Sequence, residues 1–343
     1  MTTIAFEKTA LPIIGAPMAG GTTTPDLTAA VARAGGFPFV AGGYLTAEAL
    51  APLIDRMRET TENFGVNLFA PNPVPIDRAA FDAFASALEP VAAERGLTLN
   101  PEPVDDDDHY AQKVDYLLAH PVPLVSMTFN IPTAEVVARL HDVGTQVAAT
   151  VTTPAEARTG AERGVDALIV QGPRAGGHSG TADPTRSIED RATSDVVRDV
   201  LAEVDLPIAA GGGVDGVEMV EALLQAGAST VVVGTLLLRT DEAGTAETHR
   251  AALASDDFTE TQLTRAFTGR LARALVNDFV RTFDSIAVNA YPAVHHLTKS
   301  FRAQAKKDGD PQGLHLWAGT GYRGAREASA QTIVKELGAQ FAR

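Results

Sequence analysis

The stretch Gln171-Gly172-Pro173-Arg174-Ala175-Gly176-Gly177-His178-Ser179-Gly180 holds the residues best placed to do chemistry. It follows the apolar run 167–170, which reads as a buried parallel strand. A polar amide closes the strand, glycines bend the backbone, and an imidazole emerges beyond them. Glycine there lets the main chain approach a flat or anionic group. Asn67 and Gln171 are neutral amides at strand ends, and each offers a donor and an acceptor to the pyrimidine edge of a flavin or nucleobase. The competing reading is a core amide that satisfies backbone. Further on, Ala209-Ala210-Gly211-Gly212-Gly213-Val214-Asp215-Gly216 and Val233-Gly234-Thr235 place glycines after two late strands. Free backbone N–H groups and a following helix N-terminus make such loops phosphate cradles, and Thr235 adds a hydroxyl. Gly211-x-Gly213-x-x-Gly216 also fits a dinucleotide fingerprint, but it lies late in the chain and the next strand ends without an acid to hold a ribose. Amides and cradle together point to a flat phosphorylated cofactor, with FMN the natural candidate.

The elements that must position these residues alternate. Short β-branched runs at 12–16, 37–41, 65–69, 124–129, 146–151, 167–171, 207–210 and 230–234 read as strands. Helical periods fill 26–34, 47–62, 78–95, 110–119, 134–143, 154–163, 194–203 and 216–225. Thr24-Pro25 and Thr153-Pro154 look like helix starts, and Gly35, Gly144, Gly164 and Gly227 like helix stops. The expected fold is an α/β (β/α)8 TIM barrel, whose ligands sit at the C-terminal ends of the strands. Those ends carry Ala16-Pro17-Met18, Asn67, Thr128, Gln171, Gly211-Gly212 and Gly234-Thr235. Two segments exceed a minimal barrel: 70–123 and 236–343. The expected domains are an FMN-binding barrel over 1–238 and a helical extension over 239–343, a small lid partly packed back on the barrel.

Composition removes several function classes. The chain has 343 residues and no cysteine, so it has no disulfide framework, thiolate metal site or cysteine nucleophile. A formal charge of −15 argues against nucleic acid or an anionic membrane as partner. The run Asp105–Asp108 lacks the ligand spacing and glycine bend of a calcium loop and reads as a solvated loop or helix start; no metal site is expected. The N-terminus 1–8 shows no leader pattern, and the longest apolar runs fall short of a membrane span. A cytoplasmic protein, monomeric or homodimeric, is expected.

Taken jointly and in order, 15–21, Phe64-Gly-Val-Asn67, Ser126-Met-Thr-Phe129, Gln171–His178, Ala209–Gly216 and Val233-Gly-Thr235 resemble the class I branch of the nitronate monooxygenase family over most of the chain. The resemblance implies an FMN barrel that oxidises alkyl nitronates, propionate 3-nitronate among them, with O2 to a carbonyl compound and nitrite. By motif it implies that Asn67, Gln171, Gly176, Gly212, Gly234 and Thr235 hold FMN, with Met18 against the ring. Ala16, Pro17, Thr128, Gly177 and Gly211 complete the cofactor set. His178 is placed near the reactive face of the flavin and the nitro group, as the candidate base where neutral nitroalkanes are used.

A further catalytic set lies at Tyr291, His295 and Lys299, whose spacing of four puts them on one helical face. Family members resemble this segment, with tyrosines and a lysine lining the pocket; here histidine stands at the second tyrosine. Tyr110 is a further candidate to reach the pocket. Arg174 replaces an acid of the family pattern, Ser179 an arginine and Asn130 a glycine, departures that bear on substrate preference. The same cofactor set also suits an NAD(P)H:quinone reductase or enoyl-thioester reductase. A non-enzymatic flavin or phosphate binder is the third reading.

Overall fold

The computed structural model describes residues 3–72 and 74–343; Met1 and Thr2, part of the leader reading, and Pro73 of the first insertion lie outside them. Strands β1 (Ile13–Gly15), β2 (Phe39–Ala41), β3 (Gly65–Phe69), β4 (Leu124–Thr128), β5 (Gln146–Val151) and β6 (Ala167–Gln171) are followed by the two-residue β7 (Gly177–His178), then β8 (Ile208–Gly211) and β9 (Thr230–Val233). All except β7 form one parallel sheet in the order β1-β9-β8-β6-β5-β4-β3-β2. The Ile14–Phe37 bridge joins its two ends and closes the barrel. The expected strands are present, with trimmed ends. Pro12, Pro38 and Pro207 supply no ladder N–H, so β1, β2 and β8 begin after them. Phe129 turns to φ +82°, and β4 stops before it.

Strand alternation sorts the core into two shells. Ile14, Phe39, Leu124, Ala148, Ala167, Ile169 and Ala209 fill the barrel with Ile4 and Phe6, while neighbours such as Ile13, Val66, Val125, Val147 and Leu168 face outward. The outer shell meets helices α1 (Pro25–Ala34), α2 (Ala47–Arg58), α3 (Arg78–Glu94), α4 (Tyr110–Ala119), α5 (Ala134–Asp142), α6 (Pro154–Glu162), α7 (Thr193–Leu201) and α8 (Val217–Gln225). The Thr24 hydroxyl accepts from Leu27 N–H at 3.0 Å and that of Thr153 from Glu156 N–H at 3.2 Å, N-caps read in the sequence. Gly35 ends α1 at φ +93°, left-handed backbone that favours glycine.

After β9 the chain builds a cap from α9 (Glu247–Ala254), β10 (Thr261–Thr264), β11 (Ala272–Leu275), α10 (Asp278–Phe283), α11 (Ala293–Leu297) and α12 (Lys299–Asp308). The extension is therefore not purely helical. Its strands form an antiparallel sheet in the order β10-β11-β7, which stitches the cap to the His178 loop. These short strands lack a run of alternating hydrophobics, so tertiary pairing rather than local pattern creates them. Phe81, Phe84 and Leu88 of α3 share a core with Phe267, Phe279, Phe283 and Phe301, so the first insertion and the cap bury one another. The last helix, α13 (Ala330–Gly338), returns to pack on α1 and α8.

Candidate active site

A cavity of about 670 Å³ opens at the C-terminal ends of the barrel strands, beneath the cap. Ala16, Pro17, Met18, Asn67, Thr128, Gln171, Gly176, Gly177, Gly211, Gly212, Gly234 and Thr235 all line it. They come from the ends of six strands, β1, β3, β4, β6, β8 and β9, or the turns after them, so barrel closure gathers them.

Asn67 is 3% exposed. Its Nδ2 donates to the Ser126 hydroxyl at 2.9 Å and the Thr128 hydroxyl at 3.0 Å. Its Oδ1 has no protein partner among the described residues and is not sealed from the cavity, which suits the ring N–H of a bound flavin. Gln171 is more committed. Its Oε1 accepts from Gly180 N–H at 2.6 Å and its Nε2 donates to His178 O at 3.0 Å. It holds the His178 loop in shape and keeps one N–H hydrogen for a ligand.

The glycine turns expected to cradle a phosphate line the same cavity. Among the described residues, the N–H groups of Gly212, Gly213, Gly234 and Thr235 make no protein hydrogen bond. Gly213, at φ +79°, needs glycine. The Thr235 hydroxyl accepts from Gly319 N–H at 3.0 Å, which leaves its proton for a ligand. Gly176 lies against Gly319, where a Cβ would stand 2.5 Å from the amide nitrogen. Gly319 and Gly321 of the C-terminal segment line the cavity beside these turns. No periodic signal in the sequence marks them. These residues fit FMN at both its ring and its phosphate.

His178 stands in an aromatic cage. Ring centroids of Phe129, Tyr291 and Trp317 lie 5.7, 5.7 and 5.3 Å from its own. Its Nε2 lies 2.9 Å from the Thr268 hydroxyl, which itself donates to Arg270 O, so the network assigns the ring proton to Nε2. Nδ1 is then the lone-pair nitrogen; it has no protein partner among the described residues and is not sealed off. Burial, then the Arg270 and Arg302 charges, push the His178 pKa down to about 3, so the imidazole is neutral.

The second catalytic set is only partly as expected. Tyr291 precedes α11, His295 lies within it and Lys299 opens α12, so no single helical face carries them. His295 and Lys299 line the cavity. Tyr291 is not among the lining residues; it packs edge-on behind His178 and Phe129. Burial, then Arg302, lower the His295 pKa to about 2. Tyr110 does not reach the cavity, because its hydroxyl meets Met127 Sδ at 3.2 Å on the helix side of the sheet. Arg174 pairs outward with Asp190 at 2.8 Å, the Asn130 amide holds Pro71 O at 2.8 Å, and Ser179 binds Leu271 O through its N–H at 2.8 Å. None of those departures lines the main cavity.

The residue the sequence reading missed is Arg302. It is 8% exposed, lines the cavity, and forms no ion pair among the described residues. Its guanidinium meets the Thr298 hydroxyl at 3.3 Å and His295 O at 2.6 Å. Burial lowers its pKa to about 10, so it remains cationic. Lys299, Arg302 and Lys306 recur at i, i+3 and i+7, a helical stripe legible in the sequence had Lys299 been extended forward. Among the described residues no Asp or Glu lines the cavity. Arg302 is buried while Lys299 and Lys306 are exposed, so a chain of net charge −15 presents a cationic stripe at this cavity.

The family model described as nitronate monooxygenase matches residues 3–340. A probable nitronate monooxygenase of Staphylococcus aureus (strain Newman) is 32% identical over 95% of this chain and 93% of its own. A solved nitroalkane oxidase from Streptomyces ansochromogenes superposes with TM-score 0.91 at 44% identity, covering 96% of this chain and 95% of that one. FabK from Thermotoga maritima, at 23% identity and TM-score 0.74 over 97% and 93%, shares the fold. By sequence, architecture and strand-end residues together, the chain belongs to the nitronate monooxygenase family.

Proposed function

We propose that this chain binds FMN in the main cavity and oxidises small alkyl nitronates with O2 to a carbonyl compound and nitrite. Family membership makes it a flavin-dependent oxidoreductase of nitronates; the choice of FMN rests on the phosphate cradle and the free Asn67 acceptor. The observation that carries the substrate reading is the cavity's charge: Lys299, Arg302 and Lys306 line it, with neutral histidines and, among the described residues, no carboxylate. Such a wall selects an anion. A nitronate is already deprotonated, so no strong base is needed, and a His178 of pKa about 3 is a poor base for a neutral nitroalkane.

The redox chemistry, removal of electrons from the nitronate and their delivery to O2, belongs to the flavin. The chain's own residues do the rest. Arg302 and the exposed Lys299 draw the anion in, and Arg302, shielded from water, fixes its direction the more strongly. His178, through Nδ1, hydrogen-bonds a protonated group or water beside the substrate, and its aromatic cage excludes bulk water. Thr268 fixes the tautomer. No feature of the cavity favours the reductase reading in particular.

Aerobic nitrite release from propionate 3-nitronate by the FMN-loaded protein tests the proposal. Fast enzyme-dependent release is expected, with neutral nitroalkanes slower. No release with FMN demonstrably bound, together with anaerobic bleaching of the flavin by NADH or NADPH, would overturn it in favour of a reductase.

A further inference from the structure

The acidic run Asp105–Asp108 lies outside the cavity, yet two of its carboxylates reach the cavity's mouth from two sides. Asp108 Oδ1 accepts from Tyr44 N–H at 2.7 Å. Its Oδ2 takes the Lys113 ammonium at 2.5 Å, and Lys113, 0% exposed, also donates to Gly42 O at 2.9 Å. One buried ion pair therefore holds the Gly42–Tyr44 loop after β2. Asp106 Oδ2 lies 3.0 Å from His296 Nε2 on α11, and its Oδ1 accepts from Asp108 N–H at 2.8 Å.

These two grips converge on one contact. Tyr44 stacks on His295, the neighbour of His296, with centroids 4.7 Å apart and planes 8° from parallel. Both rings line the cavity, and Tyr44 is 38% exposed, so the stack stands at the opening. The backbone there is held in uncommon conformations: Tyr44, Asp108 and His109 have φ of +64°, +58° and +51°. Among the described residues the other non-glycine with positive φ is Phe129, which packs on His178. Left-handed backbone at non-glycine residues persists where surrounding contacts over-determine it, and here it gathers around one cavity.

We propose that Asp106 and Asp108 form a clasp: from the first insertion they position Tyr44 of the barrel and His295 of the cap as one stacked wall, and so set which nitronates enter. These aspartates touch neither substrate nor cofactor and are positioning residues. The choice of probe rests on the nitronate reading above.

The test uses the FMN-loaded full chain. Asp106→Asn weakens the grip on α11 without stranding a buried charge. Asp108→Asn combined with Lys113→Met removes both charges of the buried pair, since removing one alone leaves the other unpaired and threatens folding. Nitrite-release kinetics are measured with ethyl nitronate and a branched nitronate, alongside hydrogen exchange over 42–45 and 293–297. The expected result is a KM for ethyl nitronate raised about 5-fold or more with kcat within about 2-fold, a narrowed preference over the branched substrate, and faster exchange confined to those two segments. Asp106→Glu should restore the wild-type KM. Unchanged KM and exchange in both altered proteins would overturn the clasp; so would a uniform rise in exchange with a lowered Tm, the mark of a merely structural role. If the wild type turns over no nitronate, the substrate reading fails, and exchange confined to the two segments, or not, decides the clasp by itself.

Discussion

One cation of the site, Arg302, is held where water is scarce. Arg302 is buried without a carboxylate, an arrangement that costs free energy unless an anion completes it. Replacing Arg302 with Gln should raise the KM for an anionic nitronate about 10- to 100-fold, the loss of roughly 1.5–3 kcal/mol from one charge-assisted contact. FMN retention should change little, and Arg302→Lys should recover part of the loss because the charge returns without the planar fork. Flavin loss in place of a KM effect would assign Arg302 to the cofactor. His178 makes a different prediction. His178→Asn should keep bound FMN, read by absorbance, and lose most turnover; loss of flavin without a separate catalytic defect would count against its placement beside the substrate.

At the element scale, the turn after β6 is shaped by Gln171 and the strand pairing of β7 with β11. Gln171→Leu strips partners from Gly180 N–H and His178 O. It should lower stability by about 1–3 kcal/mol, the desolvation penalty of an unpaired buried group. Urea titration of the apo protein reads that loss, and an unchanged midpoint would show that Gln171 serves the ligand alone. The β9 turn is a cradle in a stricter sense. A Cβ at Gly234 meets Ala16 Cβ at 3.3 Å and Met18 Sδ at 3.8 Å. Gly234→Val should therefore weaken FMN binding about 10-fold or more while the apo fold survives, checked by flavin titration and circular dichroism.

At the scale of the whole molecule, cap and barrel enclose imidazoles that resist protonation. His178, His249 and His295 have pKa values of about 3, 4 and 2 against an ordinary 6.5, in each case chiefly through burial. Between those values and 6.5 the unfolded chain binds more protons than the folded one, so stability is fully present above about pH 6.5 and falls as the pH drops below it. Burial pushes the His315 imidazole down in the same direction and adds to that fall. Tm should be nearly level from pH 8 to 7 and fall steeply from pH 6 to 5. A Tm held down to pH 5 would mean that these imidazoles carry charge in the native state.

The barrel was legible from the amino-acid order alone, because alternating β-branched runs and capped helical periods are local signals that no tertiary contact needs to supply. The glycines and amides expected to hold the cofactor were legible too, since barrel closure gathers strand ends on one cavity wherever the loops wander. What lay in the cap was decided by tertiary structure. Tyr291, His295 and Lys299 had the right spacing for one face, but Tyr291 lies outside the helix and packs behind His178. Arg302 carried no mark in isolation; burial without an acid partner, a property of its surroundings, makes it a site. The strands that stitch the cap to His178 have no alternating pattern because their pairing is long-range. The Asp105–Asp108 run read as solvent-facing because charge on a sequence has no direction, and only the fold brought its carboxylates to Lys113, Tyr44 and His296.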